Sequence, residues 1–160
     1  ACDHYHKFKE DIRLMKKMGV KAYRFSIAWA RILPTGKGEV NEKGIAFYSD
    51  LIDELLKADI EPWVTLYHWD LPLALQLEED GWLNKNIANH FSEYANLCFN
   101  RFGDRVKNWI TLNEPWVVAI LGYGQGAFAP GRSSNSEPYL AAHHLILAHA
   151  KAVAVYRENY

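Results

Sequence analysis

Apolar residues recur at steps of three and four through Phe8, Ile12, Met15 and Met18. That spacing predicts a helix near the start, capped by Asp3 and stopped by Gly19 in a left-handed turn. The period then drops to two. Lys21 to Trp29 (KAYRFSIAW) reads as a strand, with Tyr23, Phe25 and Ile27 on one face and Arg24, Ser26 and Ala28 on the other. Pro34, Gly36 and Gly38 mark a loop. A helix follows from about Glu42, with Asn41 as cap and Ile45, Tyr48, Ile52, Leu55 and Leu56 as its buried stripe. Glu61 to His68 (EPWVTLYH) is a second strand, apolar on both faces like a sheet covered by helices.

After a loop through Pro72 and Gly81, a third helix carries Ile87, Phe91, Tyr94, Cys98 and Phe102, with Asn84 as cap and Gly103 as stop. Val106 to Asn113 is a third strand, and Pro115 to Ser134 a long Gly- and Pro-containing loop. The last helix runs from about Ser136 to Tyr156, with Leu140, His144, Leu147 and Val155 as candidate contacts. This α/β alternation predicts parallel strands joined by right-handed crossovers in one domain without repeats. Three such strands leave edges and apolar surface that a parallel sheet normally covers.

Composition changes this picture in two ways. Lys plus Arg (18) nearly balances Asp plus Glu (19), which argues against a nucleic-acid footprint. Six Trp, nine Tyr and seven Phe in 160 residues exceed an ordinary core's needs and suit a binding cleft. No apolar run reaches the ~20 residues of a bilayer span and no signal-peptide pattern opens the chain, so no membrane partner and a cytoplasmic location are expected. Ala1 rather than Met leaves the start of the protein open. Cys2 and Cys98 form no framework, and Cys98 reads as a buried free thiol.

In parallel α/β folds, chemistry gathers at the carboxyl ends of the strands. Trp29-Ala30-Arg31 follows the first strand, His68-Trp69-Asp70 the second and Asn113-Glu114-Pro115-Trp116 the third. Flat aromatic faces beside amides, imidazole and carboxylates suit a sugar ring, with its apolar C–H faces and polar rim. Glu114 is the candidate general acid, because desolvation by tryptophans would raise its pKa. The alternative is a plain loop carboxylate. Strict alternation would put Asn113 and Glu114 on opposite faces, so both reach one cleft only if the strand kinks at its end. Arg24 needs a partner: a carboxylate held ionised as a nucleophile, or a structural salt bridge.

Other motifs fade on inspection. His4-Tyr5-His6 has zinc-pair spacing but precedes a helix instead of ending a strand, so no metal is assigned. His143, His144 and His149 diverge around the last helix and read as packing. Gly124-Gln125-Gly126-Ala127-Phe128-Ala129 formally fits a dinucleotide fingerprint but runs into Pro130-Gly131 with no helix beneath it. No cofactor is expected.

His68-Trp69-Asp70-Leu71-Pro72, Thr111-Leu112-Asn113-Glu114-Pro115-Trp116 and Arg24-Phe25-Ser26-Ile27 together resemble family 1 glycoside hydrolases, the β-glucosidase family. Asp3-His4-Tyr5, Gly38-Glu39-Val40-Asn41, Gly122-Tyr123-Gly124 and Ala129-Pro130-Gly131 extend the resemblance along the whole chain. It implies a parallel β/α barrel (TIM barrel) and a retaining mechanism using two carboxylates about 5–5.5 Å apart. By the resemblance, Glu114 is the acid/base, His68 and Asn113 bind sugar hydroxyls, Trp69 stands beside that histidine, and Arg24 contacts the nucleophile. The implied substrate is an unphosphorylated β-glycoside.

The family's nucleophile is a Glu in a Glu-Asn-Gly motif, and none occurs here; Glu158-Asn159 is followed by Tyr160. Leu73 stands where a Gln often follows the Leu-Pro. By this comparison, residues 1–160 run from barrel helix one through strand two, helix two, strand three, helix three and strand four to helix four. The first strand and the carboxyl-terminal half are missing. The expectation is the acid/base half of a glycosidase, inactive alone, which associates with a complementary half or with itself. The alternative is a half-barrel that binds sugar or self-assembles without catalysis.

Overall fold

The computed structural model describes residues 2–160. Helix α1 (His4–Lys17) buries Phe8 and Ile12, and Gly19, at φ 75°, turns the chain into strand β1 (Ala22–Ser26). Met18 lies past the helix and is exposed, outside the expected stripe. Asp3 holds the cap position, but its carboxylate bonds His6 Nδ1 at 2.7 Å instead of capping. The first strand ends three residues earlier than its period suggests. Trp29–Ile32 forms a short helical turn, α2, because the indole of Trp29 turns into the core. It stacks on Tyr94 with centroids 5.0 Å apart and donates to the Gly36 carbonyl at 3.0 Å. A Cβ on Gly36 would lie 2.3 Å from the Leu75 side chain, which explains the glycine.

Helix α3 (Glu42–Lys57) buries Ile45, Tyr48, Leu51, Ile52 and Leu55; Leu56 is exposed, and Leu51 takes its place in the stripe. Asn41 caps with its backbone carbonyl, while its side-chain amide donates to the Arg31 carbonyl at 3.0 Å. Strand β2 (Glu61–Tyr67) leads into helix α4 (Leu73–Glu79) and a 3-10 turn at Gly81–Leu83. The sequence reading had only a loop there, because Pro72 and Gly81 bracket a helix of just seven residues. Helix α5 (Ile87–Phe102) buries all five expected positions, Cys98 among them as a free thiol whose pKa burial pushes up. Asn86 stands at its cap position; Asn84 instead accepts the Asn86 N–H at 2.9 Å.

Strand β3 (Asn108–Leu112) ends in a second unexpected helical stretch, α6 (Pro115–Val117) and a π-helical segment Val118–Gly124. Periodicity at 3.6 cannot register a π-helix, and its glycines read as loop. Helix α7 (Glu137–Asn159) buries His144, Leu145, Ala148 and Ala152, with Leu140 exposed.

The three strands are parallel in the order β1-β2-β3. Arg24 pairs with Trp63, and Thr65 with Ile110. Val64 and Leu66 are fully buried beneath helices, whereas Trp63 on the opposite face is 40% exposed. The face that carries Trp63 is open at that end, although Thr65 and Tyr67 farther along the same face are buried, and the outer edges of β1 and β3 have no strand partner among the described residues. All its carboxyl ends open on the same side.

Candidate active site

Asn113 is the centre of the strand ends, only 7% exposed. Its N–H donates to the Tyr67 carbonyl at 2.9 Å, extending the ladder one residue past β3. Its Oδ1 accepts from Arg24 Nη2 at 2.5 Å, and its carbonyl accepts from Trp69 Nε1 at 3.1 Å. An arginine has only donors, so this pair turns the amide oxygen inward and leaves Nδ2 to donate.

Arg24 also donates through Nε to Thr65 Oγ1 at 3.0 Å. Both partners are neutral, and Arg24 is exposed. The structural salt bridge weighed from the sequence is therefore not formed among the described residues; the guanidinium is held in place with charge to spare.

The kink that the site requires is present. Glu114 sits at φ 44°, ψ 62°, a left-handed conformation that breaks strand alternation and costs a non-glycine residue about 1–3 kcal/mol. Its carbonyl accepts the N–H groups of Val117 at 2.9 Å and Val118 at 3.3 Å, so the helical segment starts from it. The carboxylate is exposed, and the desolvation expected from neighbouring tryptophans is absent in this chain. Trp116 is itself 65% exposed.

His68 is exposed; its backbone N–H donates to Asp70 Oδ1 at 3.2 Å, and its ring meets Trp69 edge-on at 5.4 Å. Trp69 is likewise left-handed, at φ 69°. Phe128, 5.6 Å from Trp69, completes an open cavity of about 330 Å³ with Tyr67, Val117, Val118 and Ala129. Phe128 escaped the sequence reading because it lies in an aperiodic stretch. The three tryptophans that follow strands thus divide: Trp29 belongs to the core, while Trp69 and Trp116 are exposed.

Asp70 is half-buried, and burial raises its pKa against opposing backbone hydrogen bonds. A carboxyl whose folded pKa lies above its unfolded value binds more protons when folded, so its contribution to stability is lost as pH rises through the folded pKa. D70N is expected to gain stability relative to the parent chain as pH rises through the acid range, then hold that gain. Urea melts at stepped pH check this; a difference that is flat with pH counts against it.

Four of the remaining histidines are engaged elsewhere. His4 Nδ1 bonds Asp11 at 2.6 Å, separately from the His6–Asp3 pair. His144 Nδ1 donates to the Trp82 carbonyl at 2.8 Å, and His149 meets Thr111 Oγ1 at 2.8 Å. Gly124 ends the π-helical segment and Gln125 bridges to Ser133, so no helix N-terminus stands over that glycine run. No described helix is long and apolar enough to cross a membrane.

Residues 1–160 match the family model described as Glycosyl hydrolase family 1. β-Glucosidase A of Thermotoga maritima is 60% identical over 159 residues, covering 99% of this chain and 35% of that protein. β-Glucosidase 6 of Oryza sativa subsp. japonica is 56% identical over 172 residues, with 100% and 33% covered. The solved structure of rice Os3BGlu6 β-glucosidase superposes with a TM-score of 0.98 at 56% identity, over 99% of this chain and 36% of that one. The Thermotoga maritima β-glucosidase in complex with glucoimidazole gives 0.96 at 59%, over 98% and 36%. The chain spans about a third of the length of the curated relatives it matches.

Proposed function

The chain belongs to glycosyl hydrolase family 1, and from that premise we propose that it carries the acid/base side of a retaining β-glycosidase acting on β-glucosides. Its strands are barrel strands two, three and four, with the remaining strands docking at the open edges of β1 and β3. Residues 1–160 form one partial barrel domain. The observation that carries the reading is the left-handed Glu114 beside an Asn113 whose amide Arg24 has oriented.

Glu114 protonates the glycosidic oxygen as the bond breaks, then takes a proton from the water that releases the sugar. Asn113 Nδ2 donates to a sugar hydroxyl, and His68 binds a second. Trp69 walls the subsite. Arg24, with charge to spare, holds the nucleophile carboxylate ionised once the rest of the barrel brings it. Leaving-group groups face the Trp69–Phe128 cavity. The relatives' names, β-glucosidases, and the sugar-shaped glucoimidazole bound by one of them support a glucoside substrate. No cofactor takes part.

This chain has no Glu-Asn-Gly, and among the described residues no carboxylate bonds Arg24. Alone it is expected to leave an aryl β-glucoside at the buffer rate. Co-expressed with the remaining residues of a family 1 barrel, such as the complementary piece of the Thermotoga maritima enzyme, it is expected to turn over at about 1–10³ s⁻¹. Such turnover by the 160-residue chain alone would overturn the division of labour. The exposed Trp63 and the unpartnered strand edges favour a second reading, a half-barrel that self-assembles without catalysis; an inactive co-expressed pair beside a stable homo-oligomer would favour it.

A further inference from the structure

Two residues other than glycine adopt left-handed backbone at the ends of neighbouring strands, Trp69 after β2 at φ 69° and Glu114 after β3 at φ 44°. One hydrogen bond joins the two turns. Trp69 Nε1 donates to the carbonyl of Asn113 at 3.1 Å, which belongs to the peptide plane leading into Glu114. The other end of Asn113 is fixed by its N–H on the Tyr67 carbonyl and its side chain on Arg24. Of these ties, only the indole acts on the carbonyl whose orientation sets where Glu114 leaves the strand. The ring that makes it is itself packed between His68 at 5.4 Å and Phe128 at 5.6 Å.

We propose that Trp69 is a positioning residue for Glu114, holding it in its left-handed turn by gripping the Asn113 carbonyl. An indole has one donor. With that donor spent on Asn113, Trp69 offers a sugar its ring and no hydrogen bond. A left-handed glutamate relaxes toward ordinary backbone when the restraint is removed, and the carboxylate then leaves the cleft. The inference rests on the acid/base reading of Glu114 given above.

The test uses the 160-residue chain and compares W69F, which keeps a flat ring but loses the donor, with W116F as control. The reporters are the N–H groups of Val117 and Val118, which bond to the Glu114 carbonyl. Their hydrogen exchange is expected to quicken about tenfold in W69F, the worth of one hydrogen bond. The Glu114 amide–Hα coupling should change with it. W116F should leave both as they are. If W69F proves unstable, benzothienylalanine at position 69 removes only the N–H and keeps the bicyclic ring.

Exchange within about twofold of the parent, an unchanged coupling, or an equal response in W116F overturns the proposal. In a barrel-complete protein, W69F is expected to lower kcat on poor leaving groups with KM kept; a rise in KM alone is the mark of a lost sugar contact and also overturns it. An exchange effect without any kinetic effect of E114Q would instead sink the acid/base reading and leave the positioning role standing.

Discussion

In a barrel-complete protein, E114Q is expected to slow hydrolysis of an alkyl β-glucoside by about 10²–10⁴-fold, the usual worth of general acid/base catalysis. The loss should depend on the leaving group. A 2,4-dinitrophenolate departs without protonation, so kcat/KM on its glucoside should change little. Release of the glycosyl-enzyme still needs a base for water, so kcat and KM on that substrate should fall together. Azide attacks without a base and should restore turnover, giving the β-glycosyl azide. A uniform loss across leaving groups, or no rescue, would show that Glu114 is a binding or structural carboxylate. Glutamine keeps the side-chain length and leaves the φ 44° turn and its bonds to Val117 and Val118 in place. The comparison therefore reads proton transfer and not a collapsed loop.

Four residues of the candidate site, His68, Trp69, Asn113 and Glu114, drew notice because they follow strands β2 and β3, and strand ends are where alternation fails. Arg24 stood out as a charge on a strand's less apolar face, and Glu114 as a carboxylate at a strand's end. What the pattern could not supply was the partner. Arg24 and Asn113 lie 89 positions apart, and pairing at that distance is a matter of sheet order, which hydrophobic periodicity does not encode. The expected carboxylate partner for Arg24 came from charge reasoning and from the family resemblance, neither of which names a partner within these 160 residues. Within this chain the guanidinium bonds neutral oxygens from Thr65 and Asn113 and keeps its charge uncompensated.

The helical pieces that were missed share a cause. Helix α4 and the π-helical segment are short, and Pro72, Pro115, Gly122 and Gly124 punctuate them. Gly122 is there for packing instead: a Cβ would lie 2.8 Å from the Ala129 carbonyl. Trp29 shows the converse. It was placed at a strand end because it has the right spacing, but a bulky ring beside Ile27 is worth more in the core than in a cleft.

That difference between core and cleft tryptophans sets the largest stability effect. W82A is expected to cost about 3–5 kcal/mol from lost burial and the cavity left behind, against a total of about 5–15 kcal/mol for a domain. Trp82 is 1% exposed and meets Tyr67 edge-on at 5.2 Å. Its Nε1 donates to the Tyr67 hydroxyl at 3.1 Å, so alanine also strands a buried oxygen. Thermal midpoints should drop by roughly 10 °C at the 2–4 °C per kcal/mol usual near this size. W116A, at 65% exposure, should stay within about 0.5 kcal/mol of the parent. Benzothienylalanine at position 82 separates the terms, keeping the bicyclic ring and losing only the donor. Equal losses in W82A and W116A would mean that the aromatic surplus is not divided as described. The position matters for the site, because the Trp82 backbone N–H donates to Tyr123 OH at 3.2 Å and its backbone carbonyl accepts from His144. Tyr123 lies in the helical stretch that begins at Glu114. The backbone of this buried residue therefore ties the core to the helical stretch that follows Glu114, while Trp69 holds the peptide that precedes it.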